Sequence, residues 1–195
     1  MIIKQTKQDK LTFHAVSQFT KQYQARLESK IENHTLFLTV QYSNTPPTES
    51  KVRVDVAVIL PKHLSIEIQI AKGNLTTGHL KNKIDVKSTD SNFLVKSENS
   101  AKLFTKFGNI HYIIKPHQKP KKIDLKTFSG SVQVDFAKKQ IPSANIISGS
   151  IVTSNSIQFL QNHTINNRTK IYNPEKSFDV TNIQTDTGDI KFVQY

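Results

Sequence analysis

The stretch KIDLKTFSGSVQVDF, from Lys122 to Phe136, alternates apolar and polar residues, pauses at Gly130, and then alternates again. Successive side chains of a β-strand point to opposite faces, so this pattern predicts two short strands that are each buried on one face. A small residue that tolerates positive φ lets the chain turn a corner between them. Similar stretches at Ala101–Tyr112 and Asn182–Phe192 indicate a repeating β architecture.

Six copies of this pattern align on the residue at which each copy pauses, which we call the break residue. The break residues are Gly73, Ser91, Gly108, Gly130, Gly149 and Gly188. The steps from 73 to 91, 91 to 108, 108 to 130 and 130 to 149 are 18, 17, 22 and 19 residues. The step from 149 to 188 is 39 residues, which predicts one degenerate copy near Asn166–Tyr172.

Two columns of the alignment are apolar in all six copies. Five residues before the break stand Ile68, Val86, Leu103, Leu125, Ala144 and Ile183. Two residues after it stand Leu75, Phe93, Ile110, Val132, Ile151 and Ile190. One short repeat cannot bury its own apolar side, but stacked copies can, and each column then becomes a ladder. We predict a β-solenoid of about six or seven coils, with a sandwich of evenly spaced strands as the alternative.

Two further columns are polar. Directly after the break stand Asn74, Asn92, Asn109, Ser131, Ser150 and Asp189, which are turn-forming residues. Three residues before the break, four copies have a hydroxyl group and two are apolar, namely Ser88, Thr105, Thr127 and Thr185 against Ile70 and Ile146.

The first sixty residues differ from the repeats. HTLFLTVQY (His34–Tyr42) and KVRVDVAVIL (Lys51–Leu60) predict longer strands, joined by the loop SNTPPTES. The segment Ser17–Asn33 fits two structures. Four apolar residues at helical spacing favour an amphipathic helix, namely Phe19, Tyr23, Leu27 and Ile31, whereas Tyr23, Ala25 and Leu27 alternate as in a strand. We predict that residues 1–60 form a cap, β and in part helical, for a solenoid in residues 61–195, as one continuous domain.

A family resemblance rests on the stretch from Val54 to Ser88, which runs as an alternating strand, a Leu-Pro junction at Pro61, a second alternating strand and a Gly-polar-apolar element. FGNIHY, SGSVQV, SGSIVT and TGDIKF repeat that last element. In these features Lys51–Tyr195 resembles the bacterial putative adhesin family of β-strand-repeat proteins, which is also filed as a domain of unknown function. The resemblance implies a right-handed, β-helix-like solenoid, often in cell-envelope proteins, and carries over no catalytic residue. Ser91 in place of Gly departs from the pattern.

Composition bounds the function classes. The chain has 195 residues, no Cys and a net charge of +12 from 27 basic and 15 acidic residues. The lack of Cys excludes disulfides, thiolate zinc sites and thiol catalysis. The charge permits binding to nucleic acid, acidic glycans or anionic membrane, although a Lys- and Asn-rich proteome would give the same excess without a partner.

Localisation stays open at this point. The start, MIIKQTKQDKLTF, has no apolar core long enough for a signal peptide, and no apolar run of about 18 residues predicts a membrane span. We expect a cell-surface or periplasmic protein if a leader has been removed, and a cytoplasmic one otherwise.

Catalytic patterns are weak. Glu67, Asp85, Lys102 and Asp124 stand six residues before the break, so they would form a row on an outer face at about 4.8 Å per rung. Two carboxylates at about 5–10 Å could act as a glycosidase pair, but a solvated charge ladder is the favoured interpretation. None of the seven His forms a ligand pair, and the Ser residues of SGSV and SGSI are turn formers. We predict no catalytic residue, metal site or cofactor.

The basic segment KPHQKPKK begins at Lys115, and its cations are Lys115, Lys119, Lys121 and Lys122. Proline makes such a loop extended, and its ammonium groups could bind phosphate, sulfate or uronate. Without interleaved aromatics it does not predict base stacking. A solvated insertion is the alternative.

We predict a non-enzymatic binding or structural module of the bacterial cell envelope, adhesin-like, that presents its outer faces to an extended ligand or protein partner. An acidic glycan or an envelope protein would be the partner. The alternatives are a carbohydrate-active β-helix enzyme and a basic binder of polyanions or nucleic acid.

Overall fold

The computed structural model describes residues 1–18, 24–32, 35–42, 44, 53–116, 122–138, 144–156, 164–165, 169–172 and 181–195. In these ranges the fold is all-β, with seventeen strands and no helix. Fifteen strands form one large mixed sheet, and the other two form a separate antiparallel pair.

The strands before the repeats are β1 (Ile2–Thr6), β2 (Thr12–Gln18), β3 (Ala25–Glu32), β4 (Thr35–Tyr42) and β5 (Arg53–Pro61). Those of the repeats are β6 (Ile66–Leu80), β7 (Ile84–Ser97), β8 (Ala101–Phe107), β9 (Ile110–Ile114), β10 (Ile123–Ser129), β11 (Val132–Phe136), β12 (Ala144–Ser148), β13 (Val152–Ser154), β14 (Thr164–Ile165), β15 (Thr169–Tyr172), β16 (Thr181–Thr187) and β17 (Ile190–Gln194).

The N-terminal strands surround β5. β2 runs antiparallel to β5, while β1 runs parallel both to β5 and to the last part of β6. The amphipathic-helix interpretation of Ser17–Asn33 is wrong where the structure describes it, because β3 pairs with β4 along its whole length. Cross-strand pairing satisfies the backbone there and overrides the four-residue spacing. Phe19, Tyr23 and most of SNTPPTES lie outside the described residues.

The repeats pair in parallel along two ladders. The strands before the breaks follow the order β6, β7, β8, β10, β16 and β12, and those after the breaks follow β6, β7, β9, β11, β17 and β13. β6 and β7 each continue through their break residue and contribute to both ladders. Apart from Ile151, the residues of the two predicted apolar columns belong to one buried cluster, which confirms that the two ladders face a common core.

The spatial order of the repeats departs from their order in the sequence. β16 pairs with β10 on one side and β12 on the other, and β17 lies in the same way between β11 and β13. The last repeat is therefore inserted between the repeats of Gly130 and Gly149. The degenerate copy expected near Asn166–Tyr172 is wrong, because β15 runs antiparallel to β12 and joins neither parallel ladder.

The alignment on Gly149 is also wrong in register. Before the break, Ile146 lies opposite Ile183 and Ser148 opposite Thr185, which differs by two residues from the alignment on Gly149. After the break, Val152 lies opposite Ile190, which differs from it by one residue. Burial explains this choice: Ile146 is buried, whereas Ile151, which the alignment placed in the apolar column, is 62% exposed. Ser148 thereby becomes a fifth member of the hydroxyl column.

The corners between the two ladders are held by backbone contact and by polar side chains. At Gly130 φ is +148°, and a Cβ would lie 2.1 Å from the carbonyl oxygen of Gly108, so only glycine fits. The Thr127 hydroxyl donates to the Gly108 oxygen at 3.0 Å, and the Thr185 hydroxyl donates to the Gly130 oxygen at 2.8 Å. Buried hydroxyls thus satisfy corner carbonyls that the ladders leave unpaired.

A row of polar side chains runs along the same corner and follows the spatial order. Asn92 and Asn109 each accept a hydrogen bond from the backbone of the next repeat, at 2.9 and 2.8 Å. Ser131 then accepts from the Asp189 backbone at 3.4 Å, and Asp189 accepts from the Ser150 hydroxyl at 2.8 Å. This row connects the inserted repeat to both of its neighbours.

Candidate functional site

The outer face of the first ladder carries a charged row in the predicted register. Glu67, Asp85, Lys102 and Asp124 are consecutive cross-strand neighbours. Lys102 separates Asp85 from Asp124, so each of these acids has a cation directly beside it. Such a row is a charge ladder in which each exposed pair of opposite charge contributes under about 1 kcal/mol, although Asp85 Oδ1 is buried without a hydrogen-bond partner among the described residues.

The same outer face exposes aromatic rings. Phe104, on β8, is half-buried and lies between Lys87 and Lys126 of the neighbouring strands. Phe128, on β10, is 48% exposed, and Phe107, at the corner, is 43% exposed. The Lys106 ammonium lies 5.2 Å from the Phe107 ring centroid, which is a cation–π contact. The face therefore combines apolar rings with flanking cations, a combination that suits recognition of a partner.

A polar cluster lies on the outer face of the second ladder. His111 Nε2 is 2.7 Å from Asp135 Oδ2, and the Gln133 amide donates to Asp135 Oδ1 at 2.8 Å. Within the described ranges, no Ser or Thr hydroxyl hydrogen-bonds to His111, so the pair lacks the nucleophile that a hydrolytic triad needs. The sequence pattern predicted no partner for any His. The available signal was that His111 and Gln133 each stand three residues after a break residue, Gly108 and Gly130.

Two tyrosine hydroxyls, those of Tyr112 and Tyr195, hydrogen-bond to backbone carbonyls near the C-terminal ends of the second-ladder strands. Burial raises the pKa of Tyr112, whose hydroxyl lies 3.4 Å from the Ser97 carbonyl oxygen. Burial also raises the pKa of Tyr195, and the negative charge of Asp135 adds to this effect. The Tyr195 hydroxyl donates to the Ile114 carbonyl at 2.8 Å. Both phenols therefore act as neutral hydrogen-bond donors in the folded chain.

The predicted basic loop is described only at its two ends. Lys115 Nζ lies 2.8 Å from Glu98 Oε1, and the Glu98 side chain is 6% exposed. Lys115 thus partners a nearly buried carboxylate, whereas Lys122 is exposed at the start of β10. Lys119 and Lys121 lie outside the described residues, so binding by these four lysines stays a prediction.

Within the described ranges, no group of three or more His, Asp or Glu is placed to hold a metal ion. In the same ranges, no helix has the length and hydropathy needed to cross a membrane.

Comparison with known proteins gives one structural similarity. The chain resembles a crystal structure described as a putative cell adhesion protein from Clostridium sporogenes ATCC 15579, with a TM-score of 0.54 and 15% identity. The similarity covers 100% of this chain and 87% of the other. No protein-family model matches the sequence, and no curated protein does. At this identity the similarity establishes a shared fold.

Proposed function

We propose that this chain is a non-enzymatic, adhesin-like module of the bacterial cell envelope that binds an extended partner along the outer face of its first ladder. The observation that carries the proposal is that exposed Phe128 and half-buried Phe104, diagonal neighbours on the adjacent strands β10 and β8, share one outer face with a row of charged side chains. Side chains that repeat at about 4.8 Å suit a ligand that is itself extended and repetitive. The similar fold of the structure described as a putative cell adhesion protein supports the same role.

The architecture proposed with this function is a right-handed β-solenoid in residues 61–195, capped by residues 1–60. Its support is the parallel pairing of β7 with β8 and of β8 with β10 before the breaks, together with that of β7 with β9 and of β9 with β11 after them. Parallel strands joined by crossovers are almost always right-handed, which favours that hand.

Binding is favoured over catalysis because the polar groups form rows and do not converge. Among the residues that the structure describes, the His111–Asp135 pair has no nucleophile in contact with it, and the acids of the first face are interrupted by Lys102. A glycosidase would need two carboxylates that face each other across a bound sugar, with one of them kept protonated.

The test is binding of the purified chain to arrays of neutral and acidic glycans, with a Phe104→Ser/Phe128→Ser variant. Aromatic rings stack on sugar rings, so we expect the variant to lose at least about tenfold in affinity for whichever neutral glycan the wild type binds. Phe37→Ser provides the matched control, since Phe37 is 47% exposed but lies on the separate β3–β4 pair. Equal loss in both variants, or hydrolysis of the glycan by the wild type, would contradict the proposal.

A further inference from the structure

A cleft of about 370 Å³ opens where the N-terminal segment meets the first repeat. Its walls come from three parts of the chain: the end of β1 and the residue after it, the turn after β5, and the end of β6. The lining residues are Gln5, Thr6, Lys7, Lys62, His79 and Lys81. Its lining includes no residue of the aromatic outer face or of the basic loop, although Glu98 contacts both Lys81 of the cleft and Lys115 of the loop.

The lining is strongly cationic. Three of the six side chains are lysines, one is a histidine, and none is an acid. Among the described residues, the carboxylate paired with a lining lysine is Glu98, at 3.9 Å from Lys81 Nζ, and it is held more closely by Lys115 at 2.8 Å. Asp9, the next acid along the N-terminal segment, lies 3.5 Å from His63. Lys7 and Lys62 are therefore free of carboxylate partners in this part of the structure.

The backbone of the cleft is held in place without a ligand. Gln5 and Thr6 pair in parallel with Leu60 and Pro61, directly before Lys62. The Lys81 backbone donates to the Gln5 side-chain oxygen at 3.0 Å, and the Asn99 amide donates to the Lys81 carbonyl at 3.0 Å. The three lysines thus line one cleft on a hydrogen-bonded backbone, where their positive charges favour the approach of an anion.

We propose that this cleft binds an anionic group of an acidic glycan, either a sulfate or a uronate carboxylate. The lysines supply the charge, while Gln5, Thr6 and His79 supply hydrogen-bonding groups of the kind that recognise sugar hydroxyls. The lining has no aromatic ring on which a nucleic-acid base could stack. The lysines also line a single cleft, whereas a surface that tracks a phosphate backbone presents its cations in a long row.

The experiment measures binding of the full chain to heparin, which is sulfated, and to polygalacturonate, which carries only carboxylates. Dextran serves as the neutral glycan and duplex DNA as the nucleic acid, each at about 50 and 200 mM salt. We expect Lys7→Gln/Lys62→Gln/Lys81→Gln to lose at least about tenfold in affinity for heparin or polygalacturonate, and to show a weaker salt dependence. The glycan that binds more tightly identifies the anionic group.

The matched control is Lys30→Gln/Lys138→Gln/Lys191→Gln, which removes the same charge from exposed positions away from the cleft. It is expected to keep its affinity within about twofold. Because Lys81 also contacts Glu98, the double variant Lys7→Gln/Lys62→Gln is measured beside the triple, with thermal unfolding of each. Equal loss in the cleft and control variants, no binding by the wild type, or tighter binding of DNA would overturn the proposal.

The outcome is distinguishable from that of the outer-face experiment. The Phe104→Ser/Phe128→Ser variant is expected to bind the acidic glycan as the wild type does, since neither ring contributes to the lining of the cleft. Failure of one set of variants therefore leaves the other proposal standing.

Discussion

Two regions of the stack reach the same packing by different routes. From β6 to β11, each repeat lies on the repeat that precedes it in the sequence. In the C-terminal region, β16 and β17 are inserted between strands that are close together in the chain. Ile183 and Ile190 are buried as fully as Leu125 and Val132. A ladder therefore accepts any segment whose columns match, because its contacts depend on register and not on chain order.

The most severe way to break this comparison is to remove the inserted repeat by ending the chain at residue 180. If the repeats were stacked in the order of the sequence (a consecutive stack), this deletion would only remove the last repeat from one end, since each repeat contacts only its neighbours. Here it leaves an open gap beside β10 and removes the buried Ile183, Ile190 and Phe192. We therefore expect the shortened chain to lose its cooperative unfolding transition in urea, as monitored by circular dichroism. A single transition at an unchanged urea midpoint would contradict the inserted order.

Cross-linking checks the same order without a loss of stability. The chain has no Cys, so engineered pairs report without interference. Lys126 lies opposite Gln184, and Gln184 opposite Ile147. Lys126→Cys/Gln184→Cys should form a disulfide, whereas Lys126→Cys/Ile147→Cys, two strands apart at about 10 Å, should not. The reverse result on a non-reducing gel would indicate a consecutive stack.

The second prediction compares two corner glycines. Both have positive φ, but Gly130 also lies against the Gly108 carbonyl, whereas the nearest atom to a Cβ at Gly73 is a side-chain methyl at 3.8 Å. Gly73→Ala should lower the free energy of unfolding by about 1–2 kcal/mol through backbone strain alone. Gly130→Ala should lower it by about 2 kcal/mol more, because the repeats must separate. Equal losses in urea unfolding would show that stacking does not require the close contact.

The third prediction tests whether the inserted repeat is held as firmly as a consecutive one. Thr127 and Thr185 are both buried, and each donates to the corner carbonyl of a neighbouring repeat. Replacement by valine keeps the shape and leaves that carbonyl unsatisfied. Each variant should lower the free energy of unfolding by about 1–2 kcal/mol. If Thr127→Val lowers the free energy of unfolding and Thr185→Val does not, the inserted repeat is held less firmly than the consecutive one.

The smallest expected effect is a change in how the free energy of unfolding falls at alkaline pH, and it concerns the two tyrosines. Burial raises the pKa of Tyr112 in the folded chain above its ordinary value of 10.0. The unfolded chain loses the phenol proton first, so this stabilisation is complete below about pH 10 and is lost as the pH rises further. Tyr112→Phe should make the alkaline loss of stability shallower, with little change at neutral pH. Tyr195→Phe should change it less, because Tyr195 is 49% exposed. Urea midpoints from pH 8 to 11 provide the measurement.

Much of the local structure could be predicted from residue pattern. Val86, Leu103 and Leu125 were expected as one buried column, and they are cross-strand neighbours with no exposed surface. The repeat of Gly149 was misaligned because Ile151 and Val152 are both apolar, and only burial distinguishes them. The pairing of Lys115 with Glu98, and of His111 with Asp135, joins residues that are 17 and 24 positions apart. No short-range pattern carries such contacts.

The sequence by itself determined that this chain forms β-strands of period two that turn at small residues and stack through apolar columns. Those properties follow from local backbone sterics and from the burial of alternate side chains. The tertiary structure alone decided the order of the stack, the strand structure of β3 and the meeting of β1, Lys62 and His79 in one cleft. Loop-closure entropy grows only slowly with loop length, so the 39-residue step could lead to a distant or an inserted position at similar cost. The inserted position is the one in which the apolar and hydroxyl columns of the last repeat match those of its two neighbours.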